Sequence, residues 1–539
     1  MTSLYGTGVC RGYAVGNAVV IKTDTKKRSE PEFSGEANEL ERFKDAREKF
    51  KTETMALYKK LFSAAGSKNA DILLGHISLC DDPFFISETE KTIKEGKTAA
   101  QAVNAVCTEL YDIFFSSDDE LTKQRSSDIN DLKNGITDIL FGNKGFSAEN
   151  VPENSVLVFD ELTPSAVSRI NRKNTVAVIA NGGSVTSHSA ILARALSIPT
   201  VLGAAKATER INSGDTLAVD GESGEIIIEP DEVTAENFSR MGKEYDRKKE
   251  EVKKFINRKT QTKDGTEKTV CANIGNPSDI ENVIKNGADG IGLFRTEFLF
   301  MDRDKEPTED EQYFAYSSVI KAMNGKEVII RTLDVGGDKN IPYLGIPKED
   351  NPFLGFRAIR FCLKNRDIFK VQLRAILRAA VFGNVKIMLP LVTVKAEIDD
   401  AKELISECKS ELKREHKQFN DDVPIGIMAE TPAAVFSAEE LAKNSDFFSI
   451  GTNDLTGYIM AADRGNPNVG YLYDTGQNAV LAAVKRIISC GEKAGIPVGM
   501  CGEAAADEKL IPVFLRWGLD EFSVSPESVP YVRKIISEN

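Results

Sequence analysis

Only three histidines occur in the 539-residue chain, so any histidine chemistry passes through His76, His188 or His416. His188 has the most suggestive surroundings, NGGSVTSHSAILARALSIPTVLG (181–203). Gly182 and Gly183 permit a tight turn, and Thr186 and Ser187 supply hydroxyls suited to capping a helix. Ile191, Leu192, Ala195 and Leu196 then recur on one helical face, which predicts a helix starting near His188. Helix N-termini attract anions through free N–H groups and the dipole. A histidine there, with hydroxyls beside it and Arg194 nearby, is placed to carry a phosphoryl group as a nucleophile. The plain alternative, a histidine that merely caps the helix, fits this context less well. His76 stands among apolar residues in ILLGHISLCDDP and reads as a packed structural residue, while His416 in ELKREHKQFND reads as solvated surface.

A second constellation follows short apolar runs in the C-terminal half. GLFRTEFLF supplies Arg295 and Glu297, and RTLDVGGDK supplies Arg331, Asp334, Asp338 and Lys339. IMAETPAA supplies Glu430, SIGTNDLTGY supplies Asn453 and Asp454 with Arg464 beyond, and GMCGE supplies Cys501 and Glu503. The loop NPFLGFRAIR adds Arg357 and Arg360. Arginine forks bind phosphate and carboxylate. Paired carboxylates with room for phosphate and water suit Mg2+. The set therefore describes a site for a small phosphate ester with two anionic groups, plus a metal. Cys501 keeps two readings, packing after a buried strand or a proton donor at the mouth of a site.

The elements that must position these groups fall into four stretches. Residues 1–22 and 144–230 read as one small α/β unit, with strands at Ala18–Ile21, Ser155–Phe159, Thr175–Ile179, Thr200–Leu202 and Glu225–Glu229. Residues 23–143 read as an inserted helical bundle, with Leu40, Phe43, Ala46, Phe50, Leu57 and Leu61 at helical spacing and further helices at 68–78, 83–112 and 128–141. The charged stretch 231–260 reads as a linker helix. From 261 to 539, eight strands alternate with helix-length segments: Thr269–Asn273, Gly290–Phe294, Glu327–Leu333, Val385–Pro390, Ile425–Glu430, Phe447–Gly451, Pro497–Cys501 and Glu521–Val524. That count and size predict a (β/α)8 barrel, whose chemistry sits at the C-terminal ends of its strands. The second constellation lies almost wholly at those ends.

Bulk properties narrow the function. A net charge of −13 argues against general nucleic-acid binding. No apolar run reaches the length of a bilayer span, and the first residues lack the basic-then-apolar order of a signal peptide, so a soluble cytoplasmic protein is expected. The eight cysteines are scattered without a CxxC pair and read as reduced thiols.

In order, GGSVTSHSAILAR, GLFRTEFLFMDR, RTLDVGGDK, NPFLGFRAIR, GIMAETPAA, DFFSIGTNDLTGY and GMCGE resemble enzyme I of the phosphoenolpyruvate:sugar phosphotransferase system, across essentially the whole chain. The wider family, pyruvate phosphate dikinase and phosphoenolpyruvate synthase, shares the phosphohistidine and barrel motifs. The resemblance implies that phosphoenolpyruvate phosphorylates His188, that the phosphoryl group passes to the carrier HPr as the first step of sugar uptake, and that pyruvate is released. It implies that Thr186 and Arg194 steady the imidazole and its phosphate. Arg295, Arg331, Asn453, Asp454 and Arg464 would bind phosphoenolpyruvate, supported by Arg357. Glu430 and Asp454 would hold Mg2+, and Cys501 would protonate the enolate of the departing pyruvate. The helical insert would dock HPr, the barrel would form a homodimer, and a hinge would lie in or beside the linker. Three features depart from the family pattern. NGGSVTSH has one residue more before TSH than some members, Ser78 stands where a larger apolar residue is common and bears on carrier preference, and the chain stops soon after the eighth strand, at VRKIISEN. The last bears on the C-terminal cap and the dimer.

Three alternative readings fit the sequence less well. A dikinase or synthase needs a nucleotide-binding domain of a few hundred residues before the histidine, where only about 180 residues stand, without a P-loop. A nitrogen-regulatory paralogue usually carries an extra N-terminal sensory domain. A non-catalytic binding relic would not be expected to keep His188, Cys501, the arginines and the carboxylates together.

Overall fold

The computed structural model describes residues 2–21, 32–65, 67–116, 120–142, 151–162, 166–167, 170–183, 190, 193, 198–301, 303–336, 341–466 and 468–539. The chain divides into two compact units, Met1–Lys249 and Glu250–Asn539.

In the first unit, strands β1 (Thr2–Tyr5), β2 (Thr7–Cys10) and β3 (Tyr13–Ile21) join β4 (Ser155–Phe159), β5 (Thr175–Ala180), β6 (Thr200–Leu202), β7 (Thr216–Asp220) and β8 (Glu225–Ile228). They form one mixed sheet in the order β1-β8-β7-β3-β4-β5-β6-β2. The central β4 is buried throughout, as expected of an apolar run (SVLVF) covered on both faces. The expected strand at Ala18–Ile21 is the end of a longer one. The short β1, β2 and β7 are additional to the sequence reading.

Between β3 and β4 the chain forms helices α1 (Glu36–Ala65), α2 (Ser67–Cys80), α3 (Pro83–Lys94), α4 (Ala99–Phe115) and α5 (Glu120–Leu140). Phe43, Phe85, Ile93, Val103, Leu132 and Ile136 form their buried core. The helix expected at 83–112 is two helices. Gly96 takes a positive φ of 96° just beyond α3, and Thr98 opens α4 with a capping box to Gln101. Those local signals outweigh the apolar periodicity running through them. His76 is buried as expected, with Nε2 3.3 Å from the Asp128 carboxylate, and His416 is exposed.

The second unit is a closed parallel barrel in the order β9 to β16: β9 (Thr269–Ile274), β10 (Ile291–Phe294), β11 (Val328–Arg331), β12 (Val385–Leu389), β13 (Ile425–Ala429), β14 (Phe448–Ile450), β15 (Val498–Met500) and β16 (Glu521–Val524). Each expected barrel strand is present, with ends that differ by at most two residues. Leu293, Ile329, Met388, Met428, Phe447 and Cys501 form a separate buried apolar cluster. The helix Val529–Ser537 follows β16.

The linker helix is shorter than expected, Glu232–Lys253 rather than 231–260. The reason is a distant side chain. Arg533, 1% exposed, donates from Nη1 to the carbonyls of Phe255 (2.8 Å) and Ile256 (2.6 Å) and from Nε to Thr260 Oγ1 (2.8 Å). Its Nη2 reaches Gly287 O (2.7 Å) and Asp289 (2.9 Å). Residues 255–260 are thus held by the barrel instead of continuing the helix.

Candidate active site

At the C-terminal ends of the barrel strands five of the expected side chains come together, Glu297, Arg331, Asp334, Arg357 and Asp454. Arg331 is the last residue of β11 and is 7% exposed. Its Nη2 donates to Glu297 (2.7 Å), and its Nη1 lies 2.9 Å from Asp334. Asp334 also pairs with Arg357 at 3.0 Å, and Arg357 reaches on to Asp454 at 3.5 Å. The chain Glu297–Arg331–Asp334–Arg357–Asp454 thus runs continuously through largely buried groups.

Burial alone disfavours both guanidinium charges, but Glu297 and Asp334 on Arg331, and Asp334 and Asp454 on Arg357, outweigh it and hold them protonated. Among the described residues, Arg331 Nε and Arg357 Nη1 are buried without a hydrogen-bond partner. Buried donors left unpaired cost about 1–3 kcal/mol each, so they are expected to meet an acceptor in the working state. A bound anion supplies one.

The carboxylates make the complementary demand. Glu430, just past β13, is 2% exposed and accepts the Leu391 N–H at 2.7 Å. Burial first, then the nearby Asp454 and Asp334 carboxylates, push its acid well above the usual range, against the pull of Arg331. The deeply buried Glu430 carboxyl with the Asp454 carboxylate near it fits a hard divalent cation, which would favour the Glu430 anion. A Cβ on Gly451 would lie 2.3 Å from Glu430 Oε2, so only glycine leaves that carboxylate in place. The backbone is strained around these groups: Ala358, beside Arg357, has φ 53°, and Leu391, which donates to Glu430, has φ 55°.

Cys501 follows β15 and is 4% exposed. Its Sγ lies 3.8 Å from Ile450 O, and its electrostatic neighbours include Glu430, Arg331 and Arg295. Burial is the main force that pushes the thiol up to about 11, partly offset by the Ser449 hydroxyl and the two arginines. It is therefore a thiol, not a thiolate, at neutral pH, which bears on the two readings left open by sequence.

Asn453 exchanges hydrogen bonds with Glu503, Nδ2 to Oε1 at 3.2 Å and Oδ1 from the Glu503 N–H at 3.1 Å. Tyr473 donates to Asn453 O at 2.9 Å and also feels Arg464, which is exposed beyond the helix Thr452–Met460. Arg295 is exposed at the end of β10. Arg360, grouped with the anion-binding arginines by sequence, donates to Leu354 O (3.1 Å), Gly355 O (3.0 Å) and Thr393 (3.3 Å), so it braces the loop that carries Arg357. His188, Thr186 and Arg194 lie outside the described residues, as do Asp338 and Lys339. Sequence reasoning missed Tyr458 and Tyr473, which border Asp454 and Asn453, because tyrosines inside a helix or turn carry no motif.

Among the described residues no helix is long and apolar enough to cross a membrane. Residues 249–539 match the PEP-binding domain of the PEP-utilising enzyme family, residues 5–125 its N-terminal domain and residues 151–224 its mobile domain. The phosphoenolpyruvate-protein phosphotransferase of Bacillus subtilis (strain 168) is 40% identical over 100% of this chain and 95% of its own length. That of Staphylococcus carnosus (strain TM300) is 42% identical over 98% of this chain and 93% of its own. An NMR solution structure of an enzyme I protein, nEIt, is 31% identical, covers 45% of this chain and 99% of its own, and has a TM-score of 0.38. With the barrel match spanning more than half of its residues and relatives aligned end to end, the chain belongs to the PEP-utilising enzymes, in the branch of enzyme I, the phosphoenolpyruvate-protein phosphotransferases.

Proposed function

We propose that this chain takes the phosphoryl group of phosphoenolpyruvate onto His188 and passes it to the carrier protein HPr, releasing pyruvate in the first step of sugar uptake. The observation that carries the reading is the pair of buried arginine donors at the barrel mouth that have no partner among the described residues, beside a thiol that stays protonated. Arg331 and Arg295, with Asn453 and Arg464, bind the phosphate and carboxylate of phosphoenolpyruvate, and Arg357 supports them through Asp334. Their charges stabilise the transferring phosphoryl group as it spreads over its oxygens.

His188 attacks phosphorus, and the bond from phosphorus to the enol oxygen breaks. The enolate takes the Cys501 proton at its terminal carbon and becomes pyruvate, and the thiolate regains a proton from water. Thr186 and Arg194 steady the imidazole and its phosphate. A metal ion belongs to this chemistry, and Glu430 and Asp454 are the residues that would hold Mg2+. When bound it adds positive charge against the phosphoryl oxygens.

One histidine serving two partners requires the unit that carries it to move. Residues 255–260 are pinned by Arg533, so the hinge belongs N-terminal to them. The bundle of α1–α5 docks HPr, with Ser78 exposed on α2 as a determinant of carrier preference, and the barrel forms the homodimer. HPr tests the second half of this reading. Phosphorylated protein freed of phosphoenolpyruvate should lose its label to HPr, and retention of the label over many turnovers' time would exclude HPr as acceptor.

A further inference from the structure

The helix Arg366–Ala379 lies outside the barrel and presents Phe369, Leu373 and Ile376 to the core. Gln372 shares that apolar face and is 1% exposed. An amide buried among hydrocarbon is costly unless its hydrogen bonds are made, and a leucine of similar size would avoid the cost. Here both ends of the amide are used. Its Oε1 accepts the Leu333 N–H at 2.9 Å, and its Nε2 donates to Thr296 Oγ1 at 3.0 Å and to Tyr316 Oη at 3.2 Å. Thr296 in turn donates to Arg331 O at 3.0 Å. Tyr316 donates to Gln312 at 3.0 Å, and Gln312 donates to Pro307 O at 3.2 Å, which ties the network to the neighbouring helix.

The two anchor points are the informative ones. Thr296 directly follows Arg295, and Leu333 stands two residues after Arg331. The β10–β11 ladder shifts register between Ile291 and Phe294 and its last pair is Phe294↔Ile330, so beyond that pair the two strand ends are joined to each other through side chains. We propose that Gln372 is a positioning residue that holds the Arg295 and Arg331 strand ends in one fixed register and thereby sets the affinity for phosphoenolpyruvate. Satisfied polar networks in an apolar core specify one geometry, and small displacements of binding groups are costly to catalysis. The inference rests on Arg295 and Arg331 being the substrate-binding arginines.

The test compares Gln372→Met, Thr296→Val, Gln372→Glu and Arg331→Met in steady-state HPr phosphorylation, with KM for phosphoenolpyruvate and kcat determined separately. Gln372→Met should raise KM about tenfold with kcat within about threefold, because binding groups are misplaced while the chemistry is intact. Thr296→Val cuts the same link in series, so the double variant should have nearly the KM of Gln372→Met alone. Gln372→Glu keeps the acceptor for Leu333 and should fall between. A purely structural role would lower the unfolding midpoint read from Trp517 fluorescence and the active fraction, leaving KM within about twofold in the folded protein, and that result overturns the proposal. If Gln372→Met does not fold, Thr296→Val carries the same expectation and the same refutation. Arg331→Met separates the two levels: an unchanged KM and kcat there overturns the binding role of Arg331, whereas a crippled Arg331→Met beside a normal Gln372→Met overturns only the role of Gln372.

Discussion

If Cys501 is the proton donor, it must hold its proton at neutral pH, and its titration can be read without turnover. Burial raises the thiol to about 11, so at pH 7.5 only roughly 0.03% is thiolate, against roughly 10% for a free cysteine of ordinary pKa. Alkylation by iodoacetamide proceeds through the thiolate, so this fraction alone slows it roughly 300-fold. Its 4% exposure slows it further, but access scales the rate equally at every pH. The slope therefore isolates ionisation. Peptide mass mapping should show labelling at Cys501 rising about tenfold per unit from pH 7.5 to 10 without levelling, while Trp517 fluorescence reports an intact barrel. Ser449→Ala removes the hydroxyl that offsets part of the effect and should move the curve upward. A plateau below pH 9.5 would mean that the thiolate forms readily, and the reasoning from burial to proton donation would be wrong.

Two further outcomes follow from the geometry. Arg533→Met strips five hydrogen bonds and leaves the Asp289 carboxylate without its guanidinium. Hydrogen bonds to a charged group contribute about 1.5–3 kcal/mol each, so the urea midpoint of the Trp517 transition should fall by about 1 M or more, and a change under about 0.3 M would contradict the anchoring role. Glu430→Gln should weaken Mn2+ binding, followed by electron paramagnetic resonance, by at least about tenfold, a range that changes outside the ligand sphere already reach. Unchanged binding would place the metal elsewhere.

The barrel was legible because its strands are buried on both faces and read as short continuous apolar runs, each bounded by a turn or a functional residue. The candidate site was proposed from position, since the chemistry of such barrels gathers at the strand ends. What stayed hidden depends on distance in the chain. The linker helix stops at Lys253 because carbonyls beyond it bond to Arg533, which no local pattern around 254–260 reveals. Arg357 and Arg360 look alike in NPFLGFRAIR, yet one faces Asp334 and Asp454 and the other is occupied by loop carbonyls. Gln372 left a trace, a lone amide on the apolar stripe of RDIFKVQLRAILRA, whose meaning needed the two strand ends that it joins.

The central claim is that phosphoenolpyruvate phosphorylates His188. Intact mass after incubation with phosphoenolpyruvate and Mg2+, beside His188→Ala, tests it most directly. A gain of one phosphoryl group (about 80 Da), acid-labile and absent from the variant, is the predicted result. A folded, metal-replete protein that gains no mass, or a His188→Ala variant that gains it equally, would contradict the account.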